Sequence, residues 1–339
     1  MMKIVVAIDS LKGSLTSIQA GEAIEKGIKK VDLDGEGTVD ALVDGMGGNM
    51  EFIKVTGPAG KSVLAKYGII RPTKSDMEET STAIMEMSQA AGITQVTDKE
   101  RNPLYTTTYG VGQMIVDAIH KGCRRFIMGI GGSATNDGGV GMLQALGYDF
   151  LDKDGNQIKH GAIGLKDLVQ IKDDKAIPEL KDCEFHIACD VTNPLCGEQG
   201  CSVIFGPQKG ATEQMIKDMD HWLADYAKIA KESFTKADAD KPGTGAAGGL
   251  GFAFLTFTNA TLKSGVDLIL HETKLEEEIK DADIVITGEG CLDAQTAMGK
   301  APIGVAKLAK KYGKLVLGVS GAVTKGATAC DEAGIDAYF

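Results

Sequence analysis

No apolar run among the 339 residues approaches the roughly 18 needed to cross a bilayer, so a membrane protein is not expected. Histidine is scarce: five copies show no H-x-x-x-H or other ligand spacing, which leaves zinc chemistry without support. The seven cysteines are odd in number and include no Cys-x-x-Cys pair. That argues against a disulfide framework or a structural zinc site, and most of them are expected to be small buried apolar residues. Positive charge is in deficit, with 36 Lys and Arg against 47 Asp and Glu, and the formal net charge of -11 argues against wholesale nucleic-acid binding. Any anion site must therefore make its positive potential locally. Aromatics amount to only 5%, and the single tryptophan, Trp222, falls in a polar-faced helical pattern where it reads as a packing residue. The opening MMKIVVAID passes straight into a strand-like apolar run, without the basic flank, longer apolar core and small-residue cleavage site of a signal peptide. The cytoplasm is the expected location.

Glycine is abundant: 44 copies, gathered at particular junctions and not spread as a low-complexity tract. The chain exceeds the length at which one hydrophobic core usually keeps growing, so two domains are expected. Lys3 to Ile8 reads as a continuous apolar strand, the pattern of a parallel sheet covered on both faces. A polar loop, Asp9 to Ser14, follows, and then a capping box at Thr16 and Gln19 opens a helix to about Lys30. The loop Asp34-Gly35-Glu36-Gly37-Thr38 comes almost at once, where a parallel sheet wants another strand, so residues are expected to be missing there.

From Glu51 to Arg71 the pattern becomes an antiparallel hairpin turning at Gly57 to Gly60, which marks a domain boundary near residue 50. Strands are expected at Ala83 to Met87, Arg125 to Ile130 and Glu184 to Cys189, with helices at Gly110 to Lys121 and Thr212 to Lys231. Alternation of strand and helix returns with a strand at Asp283 to Ile286, a helix with Pro302 in its first turn, and strands at Leu315 to Val319 and Ile335 to Phe339. The expectation is a discontinuous parallel-sheet α/β domain of residues 1–50 and 281–339, with a mixed α/β domain of residues 51–280 inserted.

Several loops share one arrangement, an apolar strand running into glycine mixed with polar residues. Ligands bind outside the carboxyl ends of parallel strands, where backbone N–H groups hold phosphate and glycine lets the backbone come close. The Gly129 to Gly139 loop, GIGGSATNDGG, fits a phosphate or substrate cradle, the alternative being a strand-to-helix turn capped by Asn136 or Asp137. Glu289 and Asp293, beside Gly288 and Gly290, suit magnesium, which takes oxygen ligands and one or two carboxylates; a cap of the next helix is the alternative. Asp190, after a buried strand, suits a general base or a metal contact. Lys12 and Lys209, each in a loop with glycine, offer local cations.

Two motif matches lack the context they require. Gly243 to Gly248 satisfies G-x-G-x-x-G, but Lys241-Pro242 stands where a dinucleotide fingerprint needs a strand. Gly60-Lys61-Ser62 ends like a P-loop, yet only two residues separate Gly60 from Gly57, and it reads better as the hairpin turn.

Taken in order, these loops resemble the bacterial glycerate kinase family of glyoxylate and sugar-diacid catabolism. The resemblance runs through Ile8 to Leu15, Asp34 to Thr38, Arg101-Asn102-Pro103, Thr106 to Gly110, Gly129 to Gly139 and Asp190 to Leu195. It continues through Phe205 to Thr212, Gly245 to Gly251, Thr287 to Asp293 and Gly299 to Pro302. Two departures stand out. The family carries Ala-Asp-Gly-Gly-Glu-Gly-Thr after a second strand, one glycine more than here, and it continues past the last strand into a C-terminal helix. Residues are therefore expected to be absent near 30–36 and after Phe339.

The resemblance implies a two-domain glycerate-kinase-like fold, its discontinuous domain Rossmann- or flavodoxin-like. It implies transfer of the ATP γ-phosphoryl group to D-glycerate with Mg2+, giving 2-phosphoglycerate, or 3-phosphoglycerate in some kinases. Asp190 and Lys12 would be catalytic. Ser10, Ser14, Glu36, Gly131, Gly132, Ser133, Asn136, Asp137, Asn193 and Lys209 would bind substrate or phosphate, and Glu289 and Asp293 the metal. The expected partners are small molecules alone, glycerate and ATP, with no nucleic acid and no membrane. Two other readings stand beside this one: an NAD(P)-dependent oxidoreductase of a small hydroxy-acid, motivated by Gly243 to Gly248, and a non-catalytic sensor of a small acid.

Overall fold

The computed structural model describes residues 3–8, 20–21, 43, 48–72, 80–264 and 274–339. The helix expected from Thr16 and the loop at Asp34 to Thr38 lie outside these residues. In chain order the strands are β1 (Ile4–Ile8), β2 (Asn49–Thr56), β3 (Ser62–Ile70), β4 (Ser81–Glu86), β5 (Cys123–Gly129) and β6 (Asp149–Leu151). They continue with β7 (Gln170–Lys172), β8 (Glu184–Ala188), β9 (Ala260–Lys263), β10 (Ile284–Glu289), β11 (Leu315–Ser320) and β12 (Ala337–Tyr338). The helices longer than one turn are α1 (Tyr109–His120), α2 (Val140–Ala145), α3 (Cys201–Phe205), α4 (Glu213–Ser233), α5 (Ala246–Phe257), α6 (Leu275–Lys280) and α7 (Ala301–Lys311).

The chain divides into two compact units, Met1–Met46 with Val266–Phe339, and Gly47–Gly265. These limits fall short of residues 50 and 280 for physical reasons. Asn49 and Met50 already pair with Ile69 and Gly68 in the hairpin. Helix α6 is tied to the terminal unit by ion pairs from Lys3 to Glu278 at 2.9 Å and from Lys311 to Glu276 at 2.7 Å.

In the terminal unit the described strands form one parallel sheet, ordered β1-β10-β11-β12. Apolar β10 and β11 bury Val285 and Val316 against Ile303, Ala306 and Ala309 of α7. Pro302 enters α7 in its first turn, and Lys310 and Lys311 sit in the last turn, where cations complement the helix dipole. Gly288 must be glycine, because a Cβ there would lie 1.8 Å from the Val319 carbonyl oxygen of the neighbouring strand.

The inserted unit is built on a mixed sheet, β2-β3-β4-β5-β8-β9, antiparallel across its first three strands and parallel across the rest. The hairpin forms as its pattern predicts: Val55, Ala65 and Tyr67 are buried, and Gly57 donates to the Lys61 carbonyl at 2.6 Å to close the turn. Gly60-Lys61-Ser62 is thus a hairpin turn. Phe126 of β5 and Phe185 of β8 are register partners whose rings stack at 4.6 Å, with Phe254 of α5 at 5.5 Å from Phe185. Thr212 caps α4 by accepting from Met215 N at 3.3 Å, and Trp222 packs against the core as expected of it. All seven cysteines are free and four of them are buried, as their count suggests.

Candidate active site

Strands β5 and β8 are parallel neighbours ending at Gly129 and Ala188, so the loops that follow them emerge side by side at the carboxyl edge of the sheet. A cavity of about 270 Å³ opens there. Ile130, Gly131, Gly132 and Ser133 line it from the first loop, and Ala188, Cys189, Asp190 and Val191 from the second. Phe205, Gln208 and Lys209 close another side, and Ile93, Ala246 and Ala247 complete the wall.

The first loop is held by backbone bonds. Met87 N donates to Gly129 O at 2.9 Å, Ile93 N to Gly132 O at 2.8 Å and Ala134 N to Ala91 O at 2.9 Å. Gly132 takes φ 71°, open to glycine. Asn136 and Asp137 are fully buried and are not on the cavity wall. The Asp137 carboxylate accepts from Thr108 N at 2.8 Å, Thr108 Oγ1 at 2.9 Å, Gly139 N at 3.2 Å and Gly141 N at 3.3 Å. Burial pushes its carboxyl above the usual range, while these four donors pull it back. Asn136 Nδ2 donates to Ser202 Oγ at 2.9 Å. These two side chains fix the loop from beneath.

The Gly243 to Gly251 stretch explains its glycines without a nucleotide. Gly245 N donates to Asn193 O, and Gly138 N donates to Gly248 O, both at 2.9 Å. A Cβ on Gly245 would lie 2.2 Å from Pro194 O, and one on Gly248 would lie 2.1 Å from Thr135 O. The glycines are there so that three backbones can touch. Within α5 the helix is interrupted by a kink at Ala247, Gly248 and Gly249, all with positive φ.

Lys209 comes from the short turn after α3 and is 2% exposed. Its Nζ donates to Thr135 O at 2.6 Å. Burial pushes its ammonium down to about 8, against the attraction of the buried Cys201 and Asp137. Asp190 is exposed at the cavity. Asn193 is turned into its own loop, where Nδ2 donates to Gln199 O at 2.9 Å.

Of the expected substrate groups, then, Gly131, Gly132, Ser133, Asp190 and Lys209 converge on one cavity, and Asn136, Asp137 and Asn193 do not. Ser10, Lys12, Ser14 and Glu36 lie outside the described residues. Ile93, Phe205, Gln208 and Ala247 also line the cavity without being expected site residues, although the last three lie in segments that carry the resemblance. Gln208 could have been found as the neighbour of Lys209 in its glycine loop, whereas Ile93 belongs to a short turn with no motif.

In the terminal unit, Glu289 ends β10 and meets Asp293 through shared partners. Thr296 Oγ1 donates to Glu289 Oε1 at 2.7 Å, and Thr296 N donates to Asp293 Oδ1 at 2.9 Å. Lys300 Nζ lies 3.3 Å from Glu289 Oε2 and 3.6 Å from Asp293 Oδ1. The Thr296 N–H first, and Lys300 with it, hold the Asp293 carboxyl below the usual range. Among the described residues no cluster of three or more His, Cys, Asp or Glu side chains could hold a metal alone. The donors are nonetheless oxygen only, the kind a hard divalent ion takes, and Lys300 already supplies them with one positive charge.

The family model described as the glycerate kinase family matches residues 4–339. The chain belongs to that family. A glycerate kinase from Halalkalibacterium halodurans is 46% identical over 350 residues, covering 100% of this chain and 90% of the relative. The glycerate 2-kinase of Escherichia coli K12 is 45% identical over 349 residues with the same coverage. The crystal structure of a glycerate kinase 2 from Salmonella typhimurium LT2 superposes with a TM-score of 0.89 at 43% identity, covering 100% of this chain and 90% of that one. Membership of the glycerate kinase family makes this a phosphotransferase with the family's α/β fold, and it sets aside the oxidoreductase and sensor readings. No helix among the described residues is long and apolar enough to cross a membrane.

Proposed function

We propose that the chain transfers the γ-phosphoryl group of ATP to D-glycerate with Mg2+, giving 2-phosphoglycerate. The full-length similarity to the Escherichia coli glycerate 2-kinase carries this reading. The cavity at the β5 and β8 strand ends supports the chemistry, since phosphoryl transfer asks for positioning and charge stabilisation more than for covalent work. Asp190 accepts the proton of the attacking hydroxyl. The backbone of Gly131 to Ser133 and the Lys209 ammonium hold the substrate anion. Asn136, Asp137 and Asn193 act as positioning residues for the loops that touch it.

Lys12, with Ser10, Ser14 and Glu36, keeps the catalytic and phosphate-binding roles that the resemblance gives it. Glu289 and Asp293 would hold Mg2+, which when bound neutralises phosphate charge. The cytoplasm is the proposed location.

The test is incubation with Mg-ATP and D-glycerate, followed by coupling to enolase, which takes 2-phosphoglycerate directly. A signal without added phosphoglycerate mutase is expected; dependence on the mutase would move the transfer to the 3-hydroxyl. Absence of ADP release with both D- and L-glycerate would sink the assignment.

A further inference from the structure

We infer that Lys209 is the receptor for the substrate carboxylate, so that the cavity takes a hydroxy-acid with its acid end inward and refuses the neutral analogue. This rests on the kinase reading above and says how that site reads its substrate. The Lys209 ammonium has three N–H donors and spends one on the Thr135 carbonyl. It makes no ion pair among the described residues. The carboxylate that attracts it, on Asp137, is already engaged by four donors. A buried charge without a counter-charge is costly unless a ligand supplies one.

What the cavity adds to Lys209 narrows that ligand. Lys209 is the only cation and Asp190 the only carboxylate among the lining residues, and the polar ones that remain, Ser133 and Gln208, are neutral. A polyphosphate would want several cations; a single small carboxylate wants one. Lys209 is buried and Asp190 exposed, so a hydroxy-acid held by its carboxylate at the inner end turns its hydroxyl toward the carboxylate at the mouth.

The charged and titratable groups beside Lys209 are Cys201 and Asp137, and the cavity it lines adds Cys189 and Asp190. Cys201 is itself pushed up by burial and remains a neutral thiol near pH 8. An arriving carboxylate stabilises the protonated lysine. Binding therefore takes up a proton once the pH passes about 8, and affinity falls as the pH rises further.

The first experiment is titration calorimetry of the wild type, without nucleotide, with D-glycerate and with glyceramide at pH 7 and pH 9, in buffers of different ionisation heat. D-glycerate should bind with net proton uptake at pH 9, and glyceramide should bind at least about 10-fold more weakly at pH 7. Equal binding of acid and amide, or no proton uptake at pH 9, would overturn the inference. The second uses Lys209→Met, checked for a native unfolding transition. KM for D-glycerate should rise about 10- to 100-fold while KM for ATP stays within about 3-fold. A rise in KM for ATP alone would assign the ammonium to the nucleotide phosphates and overturn it too. Failure of the kinase reading has a different signature, no ADP release from the wild type at either pH.

Discussion

At the scale of single residues, two charged side chains on one cavity differ in burial, and burial decides what each can do. Asp190 is exposed at the cavity, where a bound hydroxyl can reach its carboxylate. Asp190→Asn should lower kcat by at least about 100-fold while leaving the unfolding transition near its wild-type position, as measured by the enolase-coupled rate and by circular dichroism. Near-normal turnover would remove Asp190 from the base role. The sequence placed Asp190 in a loop after a buried strand and Lys209 in a loop with glycine, which was enough to name them as candidates. It could not say that Lys209 is buried, because a lysine between glycines reads as solvated until α3 and the Thr135 carbonyl enclose it. Asp137 is the opposite case. Its loop suggested a phosphate contact or a cap, and its carboxylate accepts from Gly139 N and Gly141 N of its own turn and from Thr108, a partner 29 residues earlier that no local pattern could supply.

Among elements, the strands were the most legible part. Continuous apolar runs gave β1, β5 and β8 within a residue or two and β10 with its end three residues short, and alternation gave the β2–β3 hairpin with its buried Val55, Ala65 and Tyr67. Glycine-rich segments were legible as places where backbone approaches something, but not as to what. In the Gly243 to Gly251 stretch the partner is other backbone. Gly248→Ala should therefore destabilise by about 2 to 5 kcal/mol, combining a left-handed φ of 69° with a Cβ 2.1 Å from Thr135 O. Gly155→Ala is the control: φ is 79° with nothing within 4 Å of the added carbon, so the loss should be only about 1 to 2 kcal/mol. Urea unfolding of both variants measures the difference, and equal losses would mean that the close approach is relieved at little cost.

At the scale of the whole molecule, the described residues form two hydrophobic cores. One gathers residues from Val55 to Phe257, with Phe126, Phe185 and Phe254 at its centre; the other gathers residues from Ile279 to Ile335 around β10, β11 and α7. Separate cores license separate melting. Differential scanning calorimetry should give a transition that resolves into more than one component, or a van't Hoff enthalpy below the calorimetric one. A single transition with equal enthalpies would show that the two units melt as one. The change from parallel units to a hairpin and back suggested a discontinuous domain in the sequence, and the parallel pairing of β1 with β10 joins strands from the two ends of the chain in one sheet.

The backbone-to-backbone seam at Gly245, Gly248 and Gly249 also bears on anyone who would redesign the cavity. It joins the loops after β5 and β8 into a single casting, so neither can be lengthened or grafted by itself. The parts free to vary are the inserts in its wall, Ile93 and Phe205, which stand on other elements. Trimming or enlarging those two side chains is the route by which this scaffold could be taught a different acid.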